Sequence, residues 1–270
     1  MAESWNTFEA EYLRQLQKLR RPSLLARVGL SNRPGSSRYD AARLAVVERS
    51  RARWSTGSEF RSTLLLMLEY QSFLTAVLRE AADARKGDMD NRDLIVWSLG
   101  KMGNSVLHSI RHAFLDTVFP TVASGIRCLL EVIATMEYVT VSDANLETYL
   151  RSEDEGAKPL FIGFQNLLKA IDTRENLNLH ELYVHYSELT HPKLSIVKTA
   201  LVTLPDSPAV YLAEYDEWSP DLLGQHWRAA QFCVDQIATR VIRHFGLDPV
   251  LIARLQQLAN DPDPFKNVIE

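Results

Sequence analysis

The sequence predicts a mainly α protein: a helical bundle carrying one small β-hairpin insertion. Three observations carry that reading. Apolar residues recur at three and four over most of the chain, and turn residues cut the pattern into helix-length pieces. The period then changes once, after Pro192, to the alternation of paired strands. The length of 270 residues allows a full core, and a net charge of −4 argues against a broadly basic nucleic-acid platform.

Trp5, Phe8, Tyr12, Leu16 and Leu19 mark a first helix that stops before Pro22. Arg21 to Asp40 contains Pro22, Gly29, Pro34 and Gly35 and reads as a loop within a locally basic region. Asp40 caps a short helix to about Arg53, completing an N-terminal unit of residues 1–57. The bundle core, 58–246, opens with a long helix from Ser58 to Lys86 that Gly87 stops. Asp90 to Asp116 forms a second, in which Gly100 and Gly103 permit close packing. Pro120 suits the first turn of the next helix, Thr121 to Val141. Helices over Ala157 to Ile171 and Leu177 to Thr190 follow. His191-Pro192 ends the latter, because the residue before proline resists the helical region. Leu194 to Leu204 and Val210 to Tyr215 flank Pro205-Asp206-Ser207-Pro208, placing the hairpin near 194–215. Ser219-Pro220-Asp221 opens a last long helix to about Phe245, stopped by Gly246. Residues 247–270 hold a short helix, Pro249 to Leu258, and a proline-rich tail.

The N-terminus lacks a hydrophobic signal region, and no apolar run reaches membrane-spanning length without a charge. Cys128 and Cys233 sit in apolar helical patterns and read as buried free thiols. The expected setting is therefore the cytoplasm, without a membrane partner.

Two segments concentrate polar chemistry. Thr121 to Val141 is apolar except for a stripe of Arg127, Glu131 and Tyr138 on one helical face. Arg127 and Glu131 are one turn apart, so the carboxylate is placed to hold the guanidinium while spare N–H donors remain for a phosphate or carboxylate. In the second segment His180, Val184, Ser187 and His191 share a face, with Leu182, Tyr186 and Leu189 expected in the core. The two segments are expected to face each other as a buried cluster of Arg127, Glu131, Ser187 and His191. His191 suits proton transfer and Arg127 suits charge stabilisation, with Tyr183, Ser187, Glu131 and Tyr138 binding or orienting. A serine-hydrolase reading lacks a nucleophile-elbow motif, an orienting acid and an oxyanion hole.

Glycine-rich phosphate loops are absent, and no cofactor is expected. His108, His112 and Asp116 follow one another at one-turn spacing, but neither Glu-x-x-His nor His-Glu-x-x-His occurs. No metal site is assigned, and metal binding by His108 and His112 stays open.

The Arg127-x-x-x-Glu131 element, followed by Tyr183-x-x-x-Ser187-x-x-x-His191 with Pro192, resembles a bacterial all-helical domain-of-unknown-function family. That family is distantly similar to the HEPN superfamily of helical bundles, which includes ribonuclease toxins and phage-defence proteins. The match spans roughly Ser58 to Gly246. In catalytic HEPN members an Arg, four to six intervening residues and a His lie at the end of one helix; here His185 and Tyr186 occupy that neighbourhood before His191. The resemblance therefore implies a HEPN-like binding or interaction module, of a bacterial defence or toxin system, with RNA, a nucleotide or another protein as partner. A homodimer is compatible with it. The alternative it implies is a metal-independent ribonuclease using His191 and Arg127.

Overall fold

The computed structural model describes residues 58–115, 119–152, 163–190, 201–203, 210–212 and 220–260. The expected helices of 1–57 and the basic linker lie outside them, as do His191 and Pro192. Eight helices appear among the described residues: α1 (Ser58–Ala84), α2 (Asn91–Leu115), α3 (Phe119–Val141), α4 (Asp143–Arg151), α5 (Phe164–Glu175), α6 (Leu179–Thr190), α7 (Pro220–Phe245) and α8 (Val250–Asn260). The protein is mainly α. Of the hairpin expected near 194–215, the described part is two three-residue strands, β1 (Leu201–Thr203) and β2 (Val210–Leu212). They pair antiparallel with Leu201 opposite Leu212.

Helix α3 is the axis of the bundle, packed against α2, α4, α5, α6 and α7. Its apolar run explains this placement, because Ile126, Leu129, Leu130, Ile133 and Met136 are all fully buried. A helix apolar around most of its circumference is stable only when neighbours cover it. Gly125 lets α2 approach closely: a Cβ there would stand 2.5 Å from the Ile110 Cγ1. Helices α1 and α7 close the other side through Tyr70, Leu74, Val77, Trp227, Val234 and Val241. Helix α8 packs on α7 and α1.

Ionic bolts fix the helix ends. Asp93, buried near the start of α2, accepts from Arg85 at 2.7 Å and lies 2.8 Å from the His244 ring of α7. Burial works against its charge, but Arg85 and His244 outweigh that and hold its carboxyl below the ordinary range. Glu175 at the end of α5 bonds Arg174 at 2.6 Å and Arg240 of α7 at 3.4 Å, and Arg174 also grips Glu137 of α3.

Two boundaries differ from the sequence expectation. Helix α4 was not anticipated, since none of its residues is buried and it shows no core stripe. Its local chemistry is sufficient: Ser142 caps the Asn145 amide, Asp143 stands in the first turn and Arg151 in the last. The helix expected over Ala157 to Ile171 runs instead from Phe164 to Glu175, with residues 153–162 outside the described set. Asn176 ends it in the left-handed conformation, φ 54°, which Asn tolerates better than most residues.

Candidate functional site

The α3–α6 seam carries the site. Helix α6 is set in place by Asp172 of α5, whose two carboxylate oxygens accept the Leu179 and His180 amides at 2.8 Å each. That cap satisfies amides at the start of α6 that have no intrahelical acceptor. It also fixes which face turns inward. Leu179, Tyr183 and Tyr186 are buried there, while Leu182 and Leu189, expected in the core, are half-buried. The inward face is thus rotated from the sequence reading. Aromatic bulk at 183 and 186 fills the depth that the leucines were expected to fill.

On this face Arg127 and Glu131 meet their partners. Arg127 Nε donates to Glu131 Oε1 at 3.0 Å, and Nη1 donates to the Thr190 hydroxyl at 3.3 Å. The Tyr183 hydroxyl donates to the same Glu131 oxygen at 3.3 Å, and its ring lies 5.8 Å from the guanidinium carbon. The Thr190 hydroxyl in turn donates a hydrogen bond to the Ser187 carbonyl at 3.0 Å. Burial pulls the Arg127 pKa down, but Glu131 and Tyr183 outweigh it, so the cation is reinforced.

The expectation of a buried cluster needs correction. The Arg127 and Glu131 side chains keep 30% and 29% of their exposure. Tyr183 and Thr190 of α6 cover the pair only in part, so solvent reaches it. Such an arrangement orients a guanidinium firmly without desolvating it. Nη2 is the donor not engaged by Glu131 or Thr190.

The predicted residues divide accordingly. Arg127, Glu131 and Tyr183 come together. Ser187 contributes its carbonyl, and its hydroxyl has no hydrogen-bond partner among the described residues. Tyr138 lies two turns beyond Glu131, half-buried, where its carbonyl accepts from Asn145 Nδ2. His191 lies outside the described residues. His180 is engaged through its amide, and His185 is exposed with its ring edge-on to Tyr186. Thr190 was missed, although it stands at i+7 from Tyr183, a spacing that places both on one helical face. Also missed was His226 of α7, whose Nδ1 lies 2.6 Å from the Tyr186 hydroxyl.

Neither cysteine suits nucleophilic chemistry. Burial raises the Cys128 thiol pKa, Glu131 raises it further, and Cys233 is deeply buried with its pKa raised too. Among the described residues no three His, Cys, Asp or Glu side chains gather to hold a metal. No described helix is long and apolar enough to cross a membrane. No family model, curated protein or solved structure matches this chain.

Proposed function

We propose that this chain is a HEPN-like helical binding module that receives an anionic group, the phosphate of a nucleotide or RNA, at Arg127. One observation carries the reading: a half-exposed guanidinium clamped on two edges by Glu131 and Thr190 and flanked by the Tyr183 ring. Stability alone gives little reason for this construction, since a partly exposed ion pair contributes modestly. A pre-oriented guanidinium, by contrast, suits recognition of phosphate oxygens. The setting proposed is a bacterial defence or toxin system in the cytoplasm, for which the unpaired state of both cysteines is supportive.

A second reading is favoured by one specific contact. Thr190 bonds Arg127 and is joined directly to His191, so in a metal-independent ribonuclease His191 would move the proton and Arg127 would balance phosphate charge. Titrating the protein with mononucleotides and a short single-stranded RNA in metal-free buffer separates the readings. The module predicts saturable binding without cleavage, weakened about tenfold or more in Arg127→Met. Cleavage abolished by His191→Ala and by Arg127→Ala selects the ribonuclease. Wild-type binding that Arg127→Met leaves unchanged removes both.

A further inference from the structure

Helix α5 brings a second aromatic ring to the Arg127 end of the α3–α6 seam. Phe164, its first residue, lies 6.4 Å from the Tyr183 ring, centroid to centroid, at an angle of 53°. Tyr183 is itself 5.8 Å from the Arg127 guanidinium carbon. Those two distances laid end to end are the most that can separate the guanidinium from the Phe164 ring. The register of the helices agrees. Tyr183 and Thr190 of α6 meet Glu131 and Arg127 of α3, while Phe164 and Asp172 of α5 meet Tyr183 and the start of α6. Helix α5 therefore runs in the same direction as α3. Arg174 grips Glu137, and ten residues back along their helices stand Phe164 and Arg127. The same number of residues spans about 15 Å on either helix, which brings Phe164 level with Arg127.

The two rings differ in what they leave outside. Tyr183 is buried, with Arg127 against its ring and its hydroxyl spent on Glu131. Phe164 is half-buried: it packs against the core and keeps part of its surface in solvent. A single half-exposed Phe is ordinary on a protein surface. One held level with a pre-oriented guanidinium that solvent also reaches is a pair of complementary groups, a cation for a phosphate and a π-face for a base. Arg111 of α2 makes the contrast, since it is 7% exposed and bonds Gln71 of α1 at 2.8 Å, enclosed by the fold. Tyr183 touches both Arg127 and Phe164, so a ligand reaching from one to the other past it needs a spacer between phosphate and ring. Ribose supplies that spacer. Phosphotyrosine, whose ring is bonded directly to the phosphate oxygen, has none.

We propose that Phe164 is the stacking platform for the base of a nucleoside phosphate whose phosphate is held by Arg127. The proposal rests on the reading of Arg127 as a phosphate receptor and adds the group that selects a nucleoside phosphate over other phosphates. Stacking reads the flat face of a base and not its edges, so any base is accepted.

Calorimetric titration of the full chain with AMP, ribose 5-phosphate and phosphotyrosine tests the platform. AMP is expected to bind at least about fivefold more tightly than ribose 5-phosphate, the gain that stacking one base supplies. Phe164→Leu keeps an apolar contact for Tyr183 and is expected to bring AMP down to the ribose 5-phosphate level while ribose 5-phosphate is unchanged. Phe164→Trp is expected to hold AMP at least as tightly as wild type. Its added indole should change fluorescence with AMP and not with ribose 5-phosphate. A short oligoadenylate run alongside tells a free nucleotide from a strand, since a strand ligand gains affinity with length. Equal wild-type affinity for AMP and ribose 5-phosphate, both weakened by Arg127→Met, would overturn the platform and leave the receptor standing. Failure of both ligands to bind would overturn the receptor and the platform with it. An equal loss for both in Phe164→Leu would reduce Phe164 to a support for Tyr183, and phosphotyrosine binding as tightly as AMP would end the nucleoside assignment.

Discussion

Replacing Arg127 by Met and Glu131 by Gln, singly and together, isolates the free energy of their pairing. The geometry sets its scale. The bond is a single 3.0 Å contact at i, i+4 between side chains that are each about 30% exposed. Fully exposed helical pairs contribute about 0.3–0.5 kcal/mol, whereas breaking a desolvated pair costs about 3–5 kcal/mol. Tyr183 orders the carboxylate and Thr190 orders the guanidinium, which raises the pair above the exposed limit. A coupling energy of about 1 kcal/mol is expected, with each single variant losing about 1–2 kcal/mol. Urea unfolding followed by tryptophan fluorescence gives the four free energies, provided the m-values agree. A coupling above about 3 kcal/mol would identify a desolvated clamp serving the fold, and the reasoning that leaves Arg127 for a ligand would fail. A coupling of zero would show that the pair does not form in solution, with the same consequence.

Two titrating groups give stability predictions of opposite sign. His226 is buried against Tyr186, and burial, followed by the charge of His185, pushes its pKa down to about 4. Because the folded pKa lies below the unfolded one near 6.5, the unfolded chain takes up the proton first and stability falls as pH drops from 6.5 towards 4. About 2 kcal/mol should be lost between pH 7 and 5 through this group, and His226→Gln should remove that part of the slope in urea titrations. Asp235 of α7 is pushed up to about 7 by burial, against which the Tyr70 hydroxyl favours the ionised form. Here the raised folded pKa gives a contribution present at low pH and lost as pH rises through 7. Asp235→Asn should therefore gain about 2–3 kcal/mol relative to wild type on going from pH 5 to 8, and an equal difference at both values would refute the assignment.

Much of the fold was legible because period and punctuation agree. Gly87 and Gly246 both adopt positive φ at the ends of α1 and α7, where the sequence placed the stops. Helix α4 was illegible for the opposite reason: a helix that buries nothing leaves no apolar stripe to read. In the site, the Arg127–Glu131 pair followed from spacing along one helix. The buried Arg111, Asp235 and His226 did not, because their environment is supplied by α1 and α6 residues far away in the chain.

By itself the sequence determined that α3 lies at the centre of a bundle and that Arg127 and Glu131 share a face opposite the segment of Tyr183. Both follow from local periodicity, which the chain carries in every turn. Only the tertiary structure decided how far that pair is buried, that Tyr183 and Thr190 rather than a deep core complete it, and that Arg111 is enclosed without a described anion. Burial and charge balance depend on which distant helices close over a side chain and where those helices end. In this protein α6 covers Arg127 only in part, through Tyr183 and Thr190, and the guanidinium stays within reach of solvent.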